Sequence, residues 1–314
     1  MVLSDITTSE SSLKRFSQIC KLFHPHALTL LTSVQLIKKQ MGLTNRAVIG
    51  RHLRIMKKLN ILKKVADGYA LSSEGRALYE FIKEENEILL NPYEKIFYFD
   101  SLFGEQPHAS QFYIFLEAVT VNPQNKSMMI KSYFELILNS PTRIWPRDKL
   151  KFGLDAYIRN NKFPRSFTNR FECMEGWLKE LGILEGKGND LRLSTTGEEL
   201  HARRRDLEIL GDIFSFSSIF INKPPYSLPQ LTYERDKEMI FDLIKLAYQK
   251  FEIPQLRAAA LQTIKEWVCI TALVDKNFVM EKKTFETFVH NLYDNGKVRS
   301  LILGRDGKLA YIVI

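Results

Sequence analysis

Only three of the 314 residues are cysteines, Cys20, Cys173 and Cys269, and they lie far apart. An odd, scattered set argues against a disulfide framework or a paired-thiolate zinc knuckle and suits reduced core thiols in a cytoplasm. Long apolar runs are also missing. The longest tract, Ile209 to Ile221, is broken by Asp212 and four other polar or glycine positions, well short of a membrane span. The opening Met1-Val2-Leu3-Ser4-Asp5 has no basic stretch ahead of an apolar core, so no secretory signal is expected. His24-Pro25-His26 has no cysteine or carboxylate at ligand spacing, and His52 sits within a helical pattern, so no metal is expected. There is no Walker A loop, no H-E-x-x-H, no G-x-S-x-G and no paired carboxylates followed by E-x-K. Asp148-Lys149 and Asp190-x-Arg192 are the nearest fragments of such a site. The expectation is a non-enzymatic cytoplasmic protein without a cofactor, nucleoid-associated if prokaryotic, with a cryptic metal-dependent nuclease as the enzymatic alternative.

The most informative absence is that of acid. No Asp or Glu occurs from Ser11 to Ala66, and residues 1–80 hold 13 Lys/Arg against 5 Asp/Glu, so most of the net charge of +9 sits in the first quarter of the chain. A merely solvated helical surface mixes signs, because like charges one turn apart repel by a few tenths of a kcal/mol per pair. A polyanion offsets that repulsion.

Within this basic region the stretch Gly42 to Gly75 organises the rest. Thr44 is a suitable N-cap after the Gly42-Leu43 turn, and Ile49, Leu53, Met56 and Leu59 recur at helical spacing. The other face carries Asn45, Arg46, Arg51, Arg54, Lys57 and Lys58. Asn60-Ile61-Leu62 ends the helix and opens a strand with Lys63 and Lys64; Asp67-Gly68 predicts a two-residue hairpin turn, and Ser72 to Gly75 starts an exit helix running to Leu90. Upstream, Ser11 to Phe23 predicts a first helix and Ser33 caps a positioning helix over Val34 to Met41.

The run from Ile49 to Leu62 resembles the recognition-helix signature of winged-helix bacterial and archaeal regulators, V-S-R-H-L-x-x-L-x-x-x-G-L-V. Gly50 stands where a small hydroxyl is usual, and suits close backbone approach; Asn60 stands where glycine is usual, and suits a left-handed turn. The resemblance implies a fold and not a target.

After Asn91-Pro92-Tyr93-Glu94, a helix start with Asn cap, Pro and Glu in place, three apolar, aromatic-rich helices are expected over 93–103, 111–121 and 127–138. An internal repeat follows. Leu59-Asn60-Ile61-Leu62 recurs as Leu181-Gly182-Ile183-Leu184, and Leu71 to Leu78 recurs as Leu193 to Leu200, with one ungapped offset. This predicts a second winged helix, its recognition helix over Ser166 to Leu181 with Arg165, Thr168, Asn169 and Arg170 at the tip. Gly186-Lys187-Gly188-Asn189 aligns with the first wing turn, which removes the reading as a phosphate loop. Arg143 to Lys162 adds Arg147, Lys149, Lys151, Arg159 and Lys162 as a second basic surface. Lys223 to Pro229 marks a proline-rich linker. Beyond it, helices over 234–251, 254–273 and 281–294 and a hairpin around Gly304-Arg305-Asp306-Gly307 predict a third, winged-helix-like unit with Arg305 and Lys308 at its tip.

The expected fold is therefore mainly α with small β-wings: three tandem winged-helix-like units, at 1–90, 141–206 and 233–314, joined by a helical connector at 91–140 and a linker at 207–232. The expected partner is double-stranded DNA, with Asn45, Arg46 and Arg51 near base edges and Arg54, Lys57, Lys58, Lys63 and Lys64 on phosphates. The tandem order and Gly176-Trp177-Leu178-x-x-Leu181-Gly182 also resemble the recognition region of type IIS restriction endonucleases, although no nuclease domain follows. That resemblance implies a recognition subunit for a nuclease, ATPase or other protein in restriction, defence or repair; without it the reading is a transcription regulator. A winged-helix scaffold of a larger machine is the alternative.

Overall fold

The computed structural model describes residues 11–84, 87–104, 109–141, 145–203, 217, 219–220 and 233–314. These residues are mainly helical, with small antiparallel sheets. Among them no helix is long and apolar enough to cross a membrane. The expected linker over 207–232, with its proline-rich Lys223 to Pro229, and the basic Arg143 lie outside the described residues apart from 217 and 219–220.

The N-terminal part runs α1 (Leu13–Lys21), β1 (Leu28–Thr29), α2 (Leu30–Met41), α3 (Arg46–Lys58), β2 (Leu62–Val65), β3 (Gly68–Leu71) and α4 (Ser73–Ile82). Its sheet has the order β1-β3-β2. Three local expectations shift. Thr44 is not the cap of α3: Asn45 is, its Oδ1 accepting from Ala47 N at 2.9 Å and Val48 N at 3.4 Å. Ser33 does not cap α2, which begins four residues earlier with Thr29 as its cap; the Ser33 hydroxyl instead donates to Thr29 O at 2.8 Å. The wing turn is Ala66-Asp67, since Val65 pairs with Gly68. Gly68 is required for a different reason, because a Cβ there would lie 2.0 Å from Leu28 O in the crossing strand β1.

The three helices expected after Asn91 form, as α5 (Pro92–Phe103), α6 (Ala109–Val121) and α7 (Lys126–Asn139). Asn91 and Glu94 close a reciprocal capping box at the start of α5, satisfying two otherwise unpaired amides. Then come α8 (Arg147–Asn160), α9 (Arg165–Glu180), β4 (Leu184–Glu185), β5 (Arg192–Leu193) and α10 (Thr195–Ala202).

The sequence repeat is reproduced bond by bond. Leu62 pairs with Leu71 and Leu184 with Leu193. Ser72 donates from its hydroxyl to Asn60 O and from its amide to Ile61 O, as Ser194 does to Gly182 O and Ile183 O. Asn60 and Gly182 both take positive φ, 55° and 76°, so the left-handed turn expected at Asn60 is present. Gly75 and Gly197 are each forced by a carbonyl, Ile61 O and Ile183 O, at 2.0 and 2.2 Å from where a Cβ would stand.

The C-terminal part runs α11 (Tyr233–Phe251), β6 (Glu252–Ile253), β7 (Ala258–Ala260), α12 (Leu261–Lys276), α13 (Phe285–Asp294), β8 (Ser300–Leu303) and β9 (Leu309–Val313), with sheet order β6-β7-β9-β8. The helix expected to start at Pro254 is displaced to Leu261. Ala259 and Ala260, good helix formers in isolation, are captured as a strand by Ile312 and Tyr311 of β9, and Arg257 turns the hairpin at φ 47°. This part docks on the first two-fifths of the chain. Phe81 stacks on Trp267 with ring centroids 6.3 Å apart, and the Lys282 ammonium bridges Asp100 and Glu266. The core is continuous from α1 through the connector to α12.

Candidate nucleic-acid interface

Helix α3 buries Val48, Ile49, His52, Leu53, Ile55 and Met56, a wider apolar face than the four-residue stripe read from sequence. What remains outside is narrow and cationic. Arg46, Gly50, Arg54 and Lys57 stand at i, i+4, i+8 and i+11, one stripe running about 16 Å along the helix. Arg46, Arg54 and Lys57 are exposed, whereas Arg51 and Lys58 at its flank are half-buried. Gly50 lies mid-stripe with no atom within 4 Å of a would-be Cβ. Close approach inside the protein therefore does not explain this glycine; its bare backbone faces outward.

Lys63 and Lys64 on β2 are exposed. Successive strand residues point to opposite faces, so the two flank the hairpin and do not share one side. Among the described residues, Arg46, Arg51, Arg54, Lys57, Lys63 and Lys64 form no ion pair. Exposed Thr44 and the cap Asn45 stand at the N-terminal end of the stripe, where the helix dipole adds positive potential. The Asn45 carbonyl oxygen is spent on the cap, which leaves its amide nitrogen as the group able to meet a base edge or a phosphate.

Beneath the stripe, the His52 ring is fully buried and meets Phe16 edge-on at 5.7 Å. Burial, reinforced by the charges of Arg15 and Arg51, lowers its pKa to about 4, so the imidazole is neutral core filling.

The second helix of this kind, α9, is differently placed. Of its expected tip, Arg165 is exposed and Thr168 and Asn169 are half-buried, the Thr168 hydroxyl donating to Arg165 O at 3.0 Å. Arg170 is not a surface residue and cannot serve as a contact. It is fully buried, donates to Gln111 Oε1 at 2.8 Å and stacks over Trp145 at 4.5 Å. A fully buried guanidinium over an indole and bonded to Gln111 of the connector belongs to the core.

The far half of α9 meets α1. Trp177 is fully buried, and its indole donates to Ser11 O at 3.0 Å. Glu180 accepts from Leu13 N at 3.1 Å, Lys14 N at 2.9 Å and the Ser12 hydroxyl at 3.0 Å, thereby capping α1 from another part of the chain. Burial raises its carboxyl above the ordinary range, and those bonds pull it back. Sequence reasoning missed this seam; its trace is that Glu175 stands where Leu53 does in the first copy, while Phe171, Met174, Trp177, Leu178 and Leu181 carry the apolar line of α9.

Charges around the second hairpin are also neutralised. Lys126 reaches Glu172 at 3.3 Å and Glu175 at 3.2 Å, and Arg192 meets Glu185 at 2.6 Å. On α8, Arg147, Lys149, Lys151 and Arg159 are exposed, as is Lys162 just beyond it, but so are Asp148 and Asp155. In the C-terminal part Arg305 and Lys308 are exposed at the hairpin turn with Asp306 between them, its carboxylate accepting from Lys308 N at 3.2 Å. The adjoining α13 carries Glu286 and Asp294 outward. The structure thus brings Arg46, Arg54 and Lys57 together and leaves the expected contacts of the later parts apart from them in sequence, in charge balance or in burial. Comparison with known proteins found no matching family model, no matching curated protein and no matching solved structure.

Proposed function

We propose that the protein is a non-enzymatic, double-stranded DNA-binding protein of three tandem winged-helix units, with α3 lying in the major groove. The reading of three units is supported by the order helix, strand, helix, helix, hairpin in the first part and by the same order with one extra early strand, β6, in the third; in each an early strand, β1 or β7, pairs with the last one, and the repeat carries the second unit. The observation that carries the function is the stripe of Arg46, Arg54 and Lys57 on α3, flanked by Arg51, Lys63 and Lys64, all without a carboxylate partner among the described residues. Such a surface is unfavourable alone and gains its free energy from phosphate contacts and released counterions. The role is that of a transcription regulator or of the DNA-recognition subunit of a restriction, defence or repair complex, acting in the cytoplasm or nucleoid.

A second reading, scaffolding, applies to the other two units. Its support is the burial of α9 and the acidic outer face of α13, which suit protein contacts to a nuclease, an ATPase or another subunit more than a groove. The test is a mobility shift on duplex DNA over a salt series. With about 5 to 8 phosphate contacts the slope of log K against log salt is expected near −5 to −7. No binding at ~50 mM salt, where the attraction is least screened, would sink the proposal.

A further inference from the structure

Helix α8 turns one side inward and leaves the other without cover. Leu150, Gly153 and Leu154 are buried, and a Cβ at Gly153 would lie 2.0 Å from the Phe167 ring, so the helix is seated tightly on α9. The opposite stripe is Asp148, Phe152, Asp155 and Arg159, at i, i+4, i+7 and i+11, all exposed. This alternation of four and three residues is the seam spacing of paired helices. Phe152 keeps 65% of its surface in solvent, and Ile158 at the flank of the stripe keeps 73%. Among the described residues Asp148, Lys151, Asp155 and Arg159 form no ion pair. Asp148 and Arg159 stand about 16 Å apart along the helix, too far to meet within one copy.

We propose that the outer face of α8 is a contact between two copies of this chain, the two helices lying antiparallel about a two-fold axis between Gly153 and Leu154. In that register Asp148 of each copy faces Arg159 of the other. Lys151 at the flank falls within about 1.5 Å along the pair of the other copy's Asp155, and its stem covers the other copy's Ile158. The two Phe152 rings are staggered by three residues, about 4.5 Å, which suits offset stacking at the centre. Each copy thus supplies both halves of every charge pair, as a two-fold contact requires. A parallel pair would set Asp148 on Asp148 and Arg159 on Arg159. A polyanion is disfavoured on the stripe, because carboxylates hold two of its four positions. Helix α8 offers 14 residues a side, fewer than the roughly 20–30 of a tight interface, so a dissociation constant on the order of 10 μM is expected. The contact uses no residue of the α3 stripe and stands whether or not the protein binds DNA. If it does, the dimer carries two copies of α3 and suits a site of two-fold symmetry.

Sedimentation velocity of the full chain, from tenfold below that concentration to tenfold above it, tests this. The expected result is a shift from one chain mass to two. Asp148→Arg alone and Arg159→Asp alone should each stay monomeric, since each sets like charges opposite one another twice. An equimolar mixture of the two variants should dimerise again, because one chain then offers two arginines and the other two aspartates. Phe152→Ala, which needs no charge reversal and serves if a reversed chain does not fold, should weaken association at least tenfold. A parent chain that stays monomeric throughout overturns the proposal. So does a dimer kept by both charge variants or unchanged in Phe152→Ala, which places the contact elsewhere, and so does a mixture that fails to restore it. If Arg159→Asp instead weakens duplex binding tenfold while the parent is monomeric, the face belongs to a DNA footprint, and the proposal falls equally.

Discussion

Two helices, α3 and α9, stand 122 residues apart in the repeat, end in the same hydrogen bonds and lead into hairpins of the same register, yet they present opposite surfaces. Position by position, the outward stripe Arg46, Gly50, Arg54, Lys57 becomes Thr168, Glu172, Gly176, Lys179. The flanking Arg51 and Lys58 become Cys173, buried against Ser11, and Glu180, which caps α1. One backbone frame thus carries an exposed cationic surface in one copy and an internal docking surface in the other. The difference lies in side chains, since the bonds that set the frame, from Ser72 and Ser194, are common to both.

The largest expected effect comes from breaking the docked copy. Trp177→Ala removes the fully buried indole and its bond to Ser11 O, and should lower unfolding free energy by about 3–5 kcal/mol in urea titrations. A loss below about 1 kcal/mol, the level of a surface change, would mean the seam contributes little.

Next is the acid sensitivity contributed by His52, which has no counterpart in the second copy because Met174 stands there. The pKa of His52 is depressed to about 4 from an ordinary 6.5, so the unfolded chain binds the proton more tightly than the folded one. Its stabilising contribution is complete above pH 6.5 and is lost as the pH falls from 6.5 toward 4. The expected loss is about 2–3 kcal/mol, absent in His52→Leu, and stability curves at pH 7 and pH 4.5 for both chains provide the measurement. Parallel curves would place His52 in contact with water.

Smaller still is the contrast in affinity between two arginines. Arg46→Ala should cost about 1–3 kcal/mol on a preferred duplex, measured by fluorescence anisotropy. Arg170→Met, which keeps the buried volume, should leave affinity unchanged. A drop in affinity for Arg170→Met equal to that for Arg46→Ala would return α9 to the DNA surface.

The frame was legible in the sequence because it rests on local chemistry: the left-handed turn at Asn60 and the glycine under a carbonyl at Gly75 recur 122 residues on at Gly182 and Gly197, and Asn91 starts α5 with its own capping box. What was not legible depends on distant partners. The two-residue β1 is a strand because β3 lies beside it, and Ala258 to Ala260 becomes one because it is paired on both sides, by β6 and by the distant β9. Arg170 at a helix tip looks like a phosphate contact until the connector closes over it. The repeat held a signal even there, since Arg170 falls on Val48, which is buried in the first copy. Glu180 could not be read as the cap of a helix more than 160 residues upstream, because nothing local marks that bond.

The central claim is that the bare cationic stripe of α3, and not the shared frame, binds DNA. Gly50→Glu tests it most directly, by placing in the first copy the residue that the second carries as Glu172. No atom obstructs a side chain there, and replacing a mid-helix glycine should raise stability by roughly 0.5–1 kcal/mol. The account predicts a chain that is more stable and yet binds duplex DNA at least about tenfold more weakly, a loss of ~1.4 kcal/mol or more. Equal affinity in the two chains, with the gain in stability present, would contradict it.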